Sequence, residues 1–100
     1  MSWVKETLTA LQAGEDAQVR PIGGSMRGRI ESGQLVTIAP VRPDQMRVDD
    51  VVFIRWKGNY LLHVVKDRTD EQLLIGNNLG KVNGWTSAQD VLGVVTHIAD

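Results

Sequence analysis

The sequence predicts a mainly β domain with one short helix in front, its strands forming a small folded-over sheet or partial barrel. Three observations predict it. Helical periodicity is confined to the N-terminal stretch. From Gly14 onward the apolar residues fall into short runs of β type. Those runs are separated, at fairly regular spacing, by Gly, Asn and Pro clusters.

Residues 2–13 read as the helix. Ser2 serves as N-cap, Trp3, Val4, Leu8 and Leu11 share one stripe, and Gly14 is a natural stop. The segment 1–14 is therefore a helical unit and 15–100 the β domain, together a single domain. A stripe with so few anchors needs a surface to dock on. That surface is its own domain, with a partner protein or a membrane surface as the alternative.

Six strands are expected, at 18–22, 35–39, 51–57, 60–66, 71–75 and 91–98. Pro40 and Pro43 mark a loop after the second. In 51–57, Val51, Phe53 and Arg55 alternate with Val52, Ile54 and Trp56, so neither face is cleanly polar. Gly58-Asn59 reads as a tight hairpin turn. Gly76-Asn77-Asn78 and Asn83-Gly84 read as loops.

With 100 residues, 42% of them hydrophobic and 23% charged, the chain is large and apolar enough for one real core. Eleven basic and twelve acidic residues leave a net charge of −1 and no broad basic surface, so nucleic acid is not an expected partner. Cysteine is absent, which excludes disulfides, a thiol nucleophile and cysteine-held metal. Two histidines make a His-rich metal site improbable, and no cofactor is expected. No apolar run approaches the roughly 20 residues of a membrane span, and the first residues lack the pattern of a secretory signal. The expectation is a soluble, cytoplasmic domain.

Chemistry has three candidate places. In Pro21-Ile22-Gly23-Gly24-Ser25-Met26, two glycines permit a sharp turn that presents a serine hydroxyl and aims nearby N–H groups at one point. The plain alternative is a Gly-Gly-Ser loop. His63 stands in the apolar run 60–65, either as a general base or as a satisfied core histidine. Lys66, three positions on, points to the opposite face of a flat strand and reads as solvated. Asn77 offers an amide oxygen that can orient a histidine, or simply builds a polar turn.

In order along the chain, these pieces resemble the signal peptidase and LexA-type (S24/S26) serine peptidases. Gly23-Gly24-Ser25-Met26 is similar to the family's Gly-x-Ser-Met motif. The segment Ile30-Glu31-Ser32-Gly33-Gln34-Leu35-Val36 resembles one strand entry and Val48-Asp49-Asp50-Val51-Val52-Phe53 another. Leu62-His63-Val64-Val65 resembles the base-bearing segment, Gly76-Asn77-Asn78 the Gly-Asp-Asn segment, and Asp90-Val91-Leu92-Gly93-Val94-Val95 the closing strand. The resemblance covers residues 20–98. It implies a Ser25–His63 pair of the histidine type, with Gly23, Gly24 and Ser25 supplying the oxyanion hole. Four positions depart from the pattern: Gly28 for Pro, Gln34 for Asp, Asp49 for Gly, and Asn77 for the orienting Asp. Asp90 and Asp67 are the other candidate orienters. The related repressors cut themselves at an Ala-Gly bond; Ala13-Gly14 is present here, and its preferred reading is a helix stop.

The first functional reading is a serine endopeptidase acting on a peptide or protein substrate held extended along a strand edge. The alternative is a catalytically weak or inactive peptide-binding module on the same fold, with Trp56, Tyr60 and Trp85 as anchors. Homodimerisation through an exposed strand edge is the third.

Overall fold

A computed structural model of the chain describes residues 2–22, 26–41 and 45–100. It is mainly β, with a seven-stranded antiparallel sheet and one short N-terminal helix. The helix α1 spans Trp3–Gln12. The strands are β1 Ala17–Val19, β2 Leu35–Pro40, β3 Val51–Trp56, β4 Asn59–Arg68, β5 Gln72–Gly76, β6 Val82–Ser87 and β7 Val91–Ala99. A single 3₁₀ turn, Ala88–Asp90, precedes β7. Across the sheet the order is β1-β2-β7-β3-β4-β5-β6.

Both ends of α1 are built as the residue types require. Ser2 Oγ accepts from the N–H groups of Val4 and Lys5 at 3.1 and 3.4 Å. At the other end Gly14 has φ +74°. The N–H of Gly14 reaches Leu11 O and that of Glu15 reaches Ala10 O, at 3.0 and 2.9 Å, closing a Schellman motif. The Ala13-Gly14 pair is thus occupied as a helix stop. The expected stripe, Trp3, Val4, Leu8 and Leu11, packs against the core, so the helix docks on its own domain.

Two apolar clusters lie on opposite faces of the central strands. Val51 and Phe53 of β3 join Leu62 and Val64 of β4, Val36 and Ile38 of β2, and the helix. Val52 and Ile54 face the other way, toward Met46, Val65, Leu73, Ile75 and Val91. Both faces of β3 are covered, which explains why its sequence has no polar side. Register shifts at Thr37/Ile38, Phe53/Ile54, Val65/Asp67 and Ile75/Gly76 bend and twist the sheet.

The structure departs from the sequence expectation at several places: Pro40 and Gly76, read as loop, are the last residues of β2 and β5, and the first strand ends at Val19 and not at Ile22. Asn83-Gly84 is not a loop but the middle of β6, a seventh strand. Gly84 has φ +141°, and a Cβ there would stand 3.3 Å from the Trp56 ring, so glycine marks a close packing contact and not a turn. The β3–β4 hairpin turns on Lys57-Gly58, not Gly58-Asn59. Both residues have positive φ, 49° and 81°, while Asn59 is already paired with Trp56.

Candidate functional site

Gly23, Gly24 and Ser25 lie outside the described residues, but both flanks of that segment are anchored. On one side the Pro21 carbonyl accepts from Gly33 N–H at 3.2 Å, and Arg20 Nη1 donates to Gly33 O at 2.7 Å. On the other, Met26 is buried at 5% exposure, and the N–H groups of Arg29 and Ile30 return to Met26 O at 3.0 and 2.8 Å. Met26 and Ile30 plug the core while residues 27–29 stay outside it.

His63 lies in β4 opposite Val52, on the strand face that carries Leu61 and Val65, and is 6% exposed. Its Nδ1 is 2.5 Å from the Leu62 carbonyl oxygen. A carbonyl only accepts, so in the neutral ring this contact selects the tautomer with the proton on Nδ1 and Nε2 as acceptor. That tautomer can take a proton from a hydroxyl.

The strand around His63 is open on one side. β4 pairs with β3 over Asn59 to Val64 but with β5 only from Val64 to Arg68. Among the described residues, nothing pairs with the β5-side edge of residues 60–63. Beside this edge lies a pocket of about 120 Å³ walled by Trp3, Ile22, Met26, Tyr60, Leu61 and Leu62, with Glu31 and Ser32 among its other lining residues. Ile22 and Met26 are the described residues that bracket the serine segment. The described residues that bracket the serine segment and the two residues before His63 thus line one pocket, while the His63 side chain, on the face of Leu61 and Val65, is not among its walls.

The candidate orienters are engaged elsewhere. Asn77 Oδ1 accepts from the N–H groups of Leu79 and Lys81, both at 2.9 Å, and so builds the β5–β6 turn. Asp90 pairs with Arg55 at 3.3 Å and accepts from Thr86 Oγ1 at 3.2 Å. Asp67 is exposed and accepts from the N–H of Arg68 at 2.7 Å. The partner that orients His63 is the Leu62 main chain. Lys66 is the extra residue of the β4 bulge and is half-buried. Its stem lies along Gly76, 3.1 Å from where a Cβ would sit. Gly76 pairs with Val64, so Lys66 runs on the face opposite His63.

No protein-family model matches this chain, and no curated protein matches it at a significant level.

Sequence reasoning missed a second group of residues around the serine segment. Arg29 Nε donates to Asn78 Oδ1 and Arg29 Nη1 to the Asp49 carbonyl, both at 2.9 Å, while Nη2 ion-pairs with the Asp49 carboxylate. Asn78 Nδ2 in turn donates to Arg27 O at 2.7 Å. In the sequence, Gly28 and Asp49 stand out only as separate departures from the family pattern; the positive φ of Asp49, 81°, is a backbone property that sequence does not print.

The aromatic residues divide by role. Trp3 meets Phe53 edge-on and Phe53 stacks on Tyr60, each at 5.8 Å between centroids. Trp56 covers Gly84, and Trp85 is exposed on the edge strand β6. Among the described residues no three His, Asp or Glu side chains converge as a metal site, and no helix is long and apolar enough to cross a membrane.

Proposed function

We propose that this domain is a serine endopeptidase in which Ser25 is the nucleophile and His63 the general base. The observation that carries the reading is the hydrogen bond from His63 Nδ1 to Leu62 O, on a strand edge with a free side next to the ends of the serine segment. In the reaction Ser25 Oγ bonds to the scissile carbonyl carbon as its proton passes to His63 Nε2. The carbonyl oxygen becomes an oxyanion that Gly23, Gly24 and Ser25 N–H groups hold. The C–N bond then breaks, Nε2 protonates the leaving amine, and an ester remains on Ser25. Water, deprotonated by Nε2, attacks that ester; the acyl C–Oγ bond breaks, Nε2 returns the proton to Ser25 Oγ, and the carboxylic acid product leaves. The substrate lies as an added strand against residues 60–63, its main chain hydrogen-bonded to the free edge and one apolar side chain in the neighbouring pocket.

The test is cleavage of a pooled library of unstructured decapeptides, read by mass spectrometry, for wild type and Ser25→Ala. Cleavage by wild type alone supports the reading. Cleavage that persists in Ser25→Ala, or none by either, defeats it. A second reading, a peptide-binding module that does not cut, is favoured by one observation: the histidine's partner is a neutral carbonyl and Asn77 is committed to its turn. Peptide binding without turnover would select it.

A further inference from the structure

We infer that Arg29 is a positioning residue for the serine segment, acting through a clamp that joins three loops distant in sequence. The inference rests on the peptidase reading above. Arg29 sits in the turn that begins one residue after Ser25. Its planar guanidinium uses three separate nitrogens: Nε on the side chain of Asn78, Nη1 on the main chain of Asp49, and Nη2 on the carboxylate of Asp49. Asn78 closes the circuit by donating to Arg27 O, so the turn is held from both sides. Asn78 follows β5 and Asp49 precedes β3, and both strands belong to the sheet.

Two backbone peculiarities serve this clamp. At Gly28, φ is +96° and a Cβ would come within 2.9 Å of Asn78 Nδ2, so a side chain there would push the amide off Arg27 O. At Asp49, a non-glycine residue holds φ +81°. That conformation costs stability. The ion pair it allows returns little, because the Asp49 side chain is 73% exposed. A strained residue that gains little stability, yet holds the turn next to a nucleophile, is placed for geometry. Misplacing a reacting group by about 1 Å costs on the order of 100-fold in rate.

The experiment compares wild type, Arg29→Ala and Arg29→Lys. kcat and KM are measured on the library decapeptide that wild type cuts fastest, and amide hydrogen exchange is followed at Arg29 and Ile30. In Arg29→Ala, kcat is expected to fall on the order of 100-fold with KM within about threefold. The two amides should exchange faster while β3 stays protected. Arg29→Lys should not restore kcat, since an ammonium cannot reach three acceptors in one plane. Unchanged kcat in Arg29→Ala overturns the inference, as does a fall matched by loss of protection throughout the sheet. If wild type cuts nothing, the peptidase reading fails by itself. The exchange data then decide the clamp alone, and unchanged protection at Arg29 and Ile30 overturns it.

Discussion

The Nδ1 atom of His63 is bonded to the carbonyl oxygen of Leu62, its own neighbour in β4, at 2.5 Å. The main chain thus does what an orienting carboxylate does elsewhere: it fixes the tautomer. It adds no negative charge to steady an imidazolium, so the proposed Ser25–His63 pair should be slower than one backed by Asp. Replacement by Asn separates the two roles, because its amide sits where Nδ1 does and can still donate to Leu62 O but cannot take a proton at neutral pH. His63→Asn should lower peptide cleavage by on the order of 10³-fold or more. Its melting temperature should stay within a few degrees of wild type. Cleavage within about tenfold of wild type would remove His63 from the mechanism.

The strained backbone at Asp49 predicts a stability order for two variants. Asp49→Gly relieves the positive φ and keeps the carbonyl that Arg29 Nη1 uses, losing only an exposed ion pair. Asp49→Ala loses the same pair and keeps the strain. The Gly variant should therefore be more stable than the Ala variant by about 1 kcal/mol. Urea denaturation of the two side by side measures it. Equal stability would mean that the loop relaxes freely and that its conformation is not imposed.

Elements with strong local signals were legible in the sequence, and features made by contact were not. The stripe of Trp3, Val4, Leu8 and Leu11 announced a docked helix because 3.6-residue periodicity needs no tertiary information. β6 went unseen because Asn83-Gly84 is turn chemistry in isolation, and only the Trp56 ring shows why glycine belongs in that strand. The chemistry of Asn77 was recognised as a residue type, but its oxygen is claimed by N–H groups two and four residues away, a local preference of Asn in turns. The Arg29 clamp was illegible because its three members come from separate loops that only the folded sheet brings together. The departures at Gly28 and Asp49 were visible as single oddities; their connection is spatial.

Gly84→Ala tests the packing that hides β6 from sequence reading. A Cβ at 3.3 Å from the Trp56 ring, on a residue with φ +141°, forces either the ring or the edge strand to shift. The cost should be about 1–3 kcal/mol, concentrated at β5–β6. Trp56 fluorescence should change, and the amides of β6 should lose hydrogen-exchange protection before those of β3. Wild-type protection in β6 would show that the ring has room to move.

Trp3 links the helix to the proposed substrate pocket, and its removal should separate stability from recognition. The ring is half-buried, meets Phe53 edge-on at 5.8 Å and forms one wall of the pocket beside Leu61 and Leu62. Trp3→Ala should cost about 2–3 kcal/mol, less than a fully buried tryptophan, because part of the ring already faces water. The pocket would widen at the Trp3 wall, which His63 does not line. KM for decapeptides with a small apolar residue at the pocket position should rise several-fold, and bulkier residues should gain relative to them, with kcat changed by less than about threefold. Equal effects on all peptides would place Trp3 in the fold alone. A collapse of kcat at constant KM would mean that the helix reaches the serine segment and sets its position as well.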